Sequence, residues 1–129
     1  MDRMEETRAL RARMDVHYNC CQSVLVPFCR ECGLSHEQAY QLGAHFGSGM
    51  RHGSTCGAVT GALMVLGLAG QGQEASNFLL RKFREKNQVL DCAGLLALAK
   101  ERGEVRKPHC DRMVYDAVEL LEELLPDRM

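Results

Sequence analysis

The chain has no tryptophan, and its aromatic residues make up only 5% of the total. The core is therefore left to Leu, Ala, Met and Val, a mixture that suits helices packed closely through small side chains. No run approaches about eighteen uninterrupted apolar residues, so membrane insertion is not expected. Charge of one sign is also missing. The formal net charge is -1, which gives no general pull toward nucleic acid or anionic membrane. The opening "MDRMEETRALRARM" lacks the apolar centre of a secretory signal, so a cytoplasmic location is expected.

What remains is an ordinary globular composition, 46% apolar, with length for a single helical domain over 1–129. An N-terminal helix is expected over 1–17 and a cysteine-bearing core over 18–125. No segment alternates with period two, and the fold class read from periodicity is all-α, a compact bundle of about five to six helices. The first helix runs from about Asp2 to Met14. Asn19 can cap a second, Cys20 to Cys32, kinked by Pro27 and ended by Gly33. Alternatively, one long bent helix covers both. Ser35 and Gln38 make a capping box for "SHEQAYQLGAHF". The glycine-rich "GSGMRHG" leads into a helix from about Ser54 to Leu68. Helices then follow from about Gln73 to Glu85, after Asp91, and from about His109 to Leu125. The last carries an apolar stripe of Met113, Val114, Ala117, Val118, Leu121 and Leu125.

Seven cysteines stand out: Cys20, Cys21, Cys29, Cys32, Cys56, Cys92 and Cys110. In a reducing compartment that density points to metal binding or thiol chemistry. Cys20, Cys56, Cys92 and Cys110 each fall in the first turn of an expected helix, where exposed N–H groups and the helix dipole favour thiolate. Cys56 is the best placed, because Gly57 and the preceding glycines let backbone donors approach its sulfur. Gly53, Gly57 and Gly61 either allow close helix packing or leave room for a cofactor beside Cys56. Cys21 reads as core. Cys29 and Cys32 form a C-x-x-C at the end of a helix, where the dipole opposes thiolate, and read as packing. Arg51 and His52 raise the positive potential near Cys56 or face solvent. His45, His52 and His109 are single histidines without paired metal-ligand spacing.

The stretch "YNCCQSVL … FGSGMRHGSTCGAVTGALMVLGL … DC … C" resembles the C-GCAxxG-C-C family, whose members are taken to be redox-active on the strength of their cysteines. The resemblance spans about 18 to 118. It sets the family's four cysteines on Cys20, Cys56, Cys92 and Cys110, the same four that the helix-start argument selects. It implies a small helical bacterial protein with a redox role, similar to a region of some multihaem cytochromes where an iron–sulfur site has been suspected. With no C-x-x-C-H in the chain, covalent haem attachment is not indicated.

Three functions are compatible with these residues. In the first, Cys20, Cys56, Cys92 and Cys110 converge to hold an iron–sulfur cluster or another thiophilic metal, for electron transfer with a redox partner protein. In the second, Cys56 is a low-pKa attacking thiolate resolved by Cys20 or Cys92 in thiol–disulfide exchange. In the third, zinc merely stabilises a helical interaction module. Met and Leu side chains on the first segment would suit a homodimer.

Overall fold

The computed structural model describes residues 2–125, so the outermost positions of the expected domain, 1 and 126–129, lie outside the described residues. Among the described residues seven α-helices follow one another: α1 (Arg3–Ala12), α2 (Cys20–Leu25), α3 (His36–Leu42), α4 (Gly57–Leu68), α5 (Gln73–Asn87), α6 (Cys92–Glu101) and α7 (Arg106–Leu124). The all-α expectation holds, with one or two more helices than expected. No helix among them is long and apolar enough to cross a membrane.

Local chemistry accounts for most of the boundaries. Asn19 accepts from the Gln22 amide at 2.8 Å while the Gln22 side chain accepts from the Asn19 amide at 2.8 Å, a reciprocal cap that starts α2. Ser35 and Gln38 repeat the arrangement at α3. Asp91 accepts from the Gly94 amide at 2.7 Å and opens α6. The segment expected as one helix from Cys20 to Cys32 instead breaks at Leu25. Val26–Phe28 form a single 3₁₀ turn around Pro27, and turns then lead to Gly33 at φ +75°. The long bent helix is excluded, because α1 ends at Ala12 and a non-helical link follows.

The most apolar helix, α4, sits at the centre and buries Ala58, Val59, Ala62, Val65 and Leu66. It packs most extensively against α2, and both lie on α7. Two glycines set the α2–α4 separation. A Cβ at Gly61 would come within 2.8 Å of the Cys21 carbonyl oxygen, and one at Gly57 within 3.1 Å of the Cys21 amide nitrogen. The expected stripe of α7 is buried as Met113, Val114, Ala117, Val118 and Leu121. Of the Met and Leu side chains on the first segment, Met4 and Leu10 are partly buried against the core, and Met14 is fully exposed.

Candidate functional site: a cavity bordered by four thiols

Cys20 is the first residue of α2, Cys56 the N-cap of α4 and Cys92 the first residue of α6. Cys110 departs from expectation. Helix α7 begins at Arg106, after Val105, so Cys110 lies in its second turn rather than its first. Pro108 was expected to precede the helix, but a residue without an N–H fits the first turn, whose amides have no intrahelical partner. All four thiols nevertheless border one cavity of about 400 Å³ between the starts of α2, α4, α6 and α7. None of the four is in a disulfide.

Two short hydrogen bonds fix half of this set. The Cys56 amide donates to the Leu90 carbonyl at 2.8 Å, and the Cys92 amide donates to the Ser54 carbonyl at 2.7 Å. The two strand-like stubs, Ser54–Cys56 and Leu90–Cys92, thus run antiparallel, with Thr55 opposite Asp91. On the other side, the Cys20 and Cys110 thiols are neighbours whose acidities shift in opposite directions through each other. Arg11 of α1 stands beside this pair. Its guanidinium donates to Asp111 at 2.7 Å and to the Tyr18 carbonyl at 3.0 Å.

The electrostatics differ from what helix-start placement alone implies. Cys110 is the thiol held low, at about 6, first by its pairing with the Cys20 thiol and then, against burial, by the Arg106 and Arg11 charges. Cys20 is pushed up by the same pairing and by burial. Cys56 is not a low-pKa thiol: burial raises it to about 11, outweighing the Ala58 and Val59 amides that favour its thiolate. Those amides make no cap hydrogen bond of ordinary geometry to the sulfur. Burial raises Cys92 as well, with Arg106 opposing.

The glycines expected at a cofactor divide. Gly57 borders the cavity. Gly61 is a packing glycine against α2, and Gly53, at φ +81°, closes a turn against Ala93; neither reaches the cavity. The loop before α4 is unusual in another way. Ser48, Gly49, Met50 and Arg51 are four successive left-handed residues, at φ 54°, 64°, 57° and 69°. That conformation costs roughly 1–2 kcal/mol for each residue other than glycine, so surrounding contacts must hold it. The loop closes through the Ser54 amide on the Gly49 carbonyl at 2.8 Å. Gly49 is required there, because a Cβ would lie 2.7 Å from the Cβ of Cys92.

Of the remaining candidates, Arg51 and His109 line the cavity, whereas His45 and His52 are exposed and do not. Cys21 is fully buried, its sulfur 3.9 Å from that of Met64. Cys29 belongs to the core and Cys32 packs against it. Sequence reasoning missed Arg11, His17 and Arg106, which also line the cavity. Arg106 stands one turn before Cys110, a spacing visible once α7 is extended to Val105. Arg11 arrives from a distant helix and leaves no local signal. Among the described residues no Asp or Glu lines the cavity. Among the described residues no three His, Cys, Asp or Glu side chains are gathered closely enough to share a single metal ion, so the thiols surround a space instead of meeting at a point.

A family described as "Putative redox-active protein (C_GCAxxG_C_C)" has a model that matches residues 18–124. No curated protein and no solved structure matches the chain.

Proposed function

From its membership of the C_GCAxxG_C_C family, which the match over residues 18–124 establishes, we propose that this redox-active chain transfers electrons through a centre held by Cys20, Cys56, Cys92 and Cys110. One observation carries the reading: four thiols from four separate segments border a single cavity that no carboxylate among the described residues lines. A donor set of four cysteines around a space suits an iron–sulfur cluster, whose irons take separate thiolates. Such a group would supply one-electron transfer.

The chain's own residues prepare for it in distinct ways. The paired backbone bonds of Cys56 and Cys92 fix the relative position of two sulfurs. Arg106 and Arg11 favour a thiolate at Cys110 and offset negative charge brought into the cavity. Burial of Cys56 keeps water from that side. Three of the four thiols are raised and only Cys110 is lowered, so loading releases protons chiefly from Cys20, Cys56 and Cys92. Thiol chemistry of this kind suits a reducing compartment, hence the cytoplasm. Protein purified without oxygen is expected to absorb in the visible range and to bleach with dithionite. A colourless protein that takes up no iron under reducing conditions would overturn the reading.

A second reading rests on the adjacent Cys20 and Cys110 thiols, one raised and the other lowered, at one cavity. In thiol–disulfide exchange Cys110, not Cys56, would attack, and Cys20 would resolve the mixed disulfide. Mass-spectrometric detection of a reversible Cys20–Cys110 bridge in iron-free protein would favour it.

A further inference from the structure

One wall of the cavity carries chemistry that the thiols leave over. The left-handed loop sets Ser48 and Arg51 at its mouth, and Arg106, the first residue of α7, donates to the Ser48 hydroxyl oxygen at 3.2 Å. None of the ion pairs among the described residues involves Arg51 or Arg106. The charge of Arg106 also favours the Cys110 thiolate, but a guanidinium has five N–H donors, and one hydroxyl and one sulfur leave some unspent. Arg11, by contrast, is committed to Asp111.

Three residues beyond Arg106 on the same helix lies His109. It lines the cavity, is 1% exposed, and its Nδ1 has no hydrogen-bond partner. A buried, unpartnered ring nitrogen is an uncommon feature that calls for a ligand or a water at that place. Two guanidiniums in no ion pair among the described residues, a hydroxyl and a buried imidazole form a set rich in N–H and O–H donors. This is the chemistry that recognises several oxygens on one anion, and planar guanidinium forks are well suited to it.

We propose that the wall formed by Ser48, Arg51, Arg106 and His109 binds a small, multiply charged oxyanion of the phosphate, sulfate or arsenate class beside the thiols. His109 donates from Nδ1, in the tautomer that carries its proton there. Arg51 closes over the anion from the mouth, and Arg106 holds both the anion and the Cys110 sulfur. The inference rests on the cavity being the working site and is independent of which metal the thiols hold.

The test uses the full chain purified without oxygen, with iron measured on the same sample. Inorganic phosphate, sulfate, arsenate and chloride are titrated separately at constant ionic strength, and followed by calorimetry and thermal melting. Saturable one-site binding of a polyvalent oxyanion, with a rise in Tm that chloride does not give, is expected. Arg51→Gln and His109→Gln should each weaken it about tenfold, the loss of roughly one charge-assisted hydrogen bond, with Arg106→Lys in between and Lys107→Gln unchanged. Should the buried His109→Gln variant fail to fold, Arg51→Gln, at an exposed loop position, still decides. No saturable binding at millimolar oxyanion, an equal response to chloride, or undiminished binding by Arg51→Gln would overturn the proposal. Oxyanion binding by protein that takes up no iron would count against the cluster alone, and iron without oxyanion binding against this site alone.

Discussion

Cys20, at the start of α2, and Cys110, in the second turn of α7, border one cavity as a coupled pair of thiols, each shifting the acidity of the other. The pairing is unequal. Cys110 lies beside Arg106 and within the field of Arg11, so the negative charge settles on Cys110 and the proton on Cys20.

Reactivity should follow this division. Alkylation of reduced, metal-free protein, read peptide by peptide, is expected to reach half its limiting rate for Cys110 near pH 6. Cys56 should stay slow until about pH 11. Arg106→Gln should move the Cys110 midpoint upward, because a charge that favours the thiolate is removed. A Cys56 that reacts ahead of Cys110 would reverse the assignment.

Stability should track the same groups. Cys110 has a folded pKa of about 6 against an ordinary 9.0, so between those values the unfolded chain binds more protons and stability rises with pH. Cys56 and Cys21 are raised to about 11 and about 12, so above 9 the folded state retains protons that the unfolded chain loses, and stability falls. Urea midpoints measured across this range under reducing conditions should pass through a maximum. Cys110→Ser should flatten the rising limb.

Much of the scaffold was legible in the sequence, for reasons that also explain what was not. The starts of α2, α3 and α6 carry side-chain caps, Asn19, Ser35 and Asp91, and each fell where its cap stands. Helix α7 has no side-chain cap at Val105, so its start was placed late, at Pro108–His109, and Cys110 was assigned to the wrong turn. Cys20, Cys56 and Cys92 were legible because the cap and glycine chemistry around them is local, whereas Cys110 has neither beside it. Their acidities were not. Those depend on burial and on Arg11, whose approach is a tertiary event. Gly61 was ambiguous until α2 was seen to lie against it.

The two glycine environments in α4 make opposite predictions for the same substitution. Gly61→Ala places a methyl group 2.8 Å from the Cys21 carbonyl oxygen and 3.3 Å from its Cα. That backbone can yield only by separating α2 from α4, so a loss of about 1–3 kcal/mol is expected. Gly67→Ala meets nothing within 4 Å and should gain about 0.4–1 kcal/mol, by reducing the freedom of the unfolded chain. Chemical denaturation of the two variants measures both.

The Arg11–Asp111 contact ties α1 to the site. The Arg11 side chain is 8% exposed and that of Asp111 20%. Arg11→Met leaves Asp111 with Lys107, at 3.1 Å, as its remaining cation. A loss of about 1–3 kcal/mol is expected, the range for a buried polar group deprived of a partner. The Cys110 alkylation midpoint should rise in the same variant. An unchanged midpoint would show that Arg11 serves α1 docking alone.

The most direct test of the four-thiol centre is the content of iron and acid-labile sulfide per chain after purification without oxygen, compared across six single variants. Wild type is expected to hold both elements. Cys20→Ser, Cys56→Ser, Cys92→Ser and Cys110→Ser should each lose most of them, while Cys29→Ser and Cys32→Ser, away from the cavity, keep them. Wild-type protein that remains free of iron and sulfide even after reconstitution, or full content in any of the first four variants, would contradict the account.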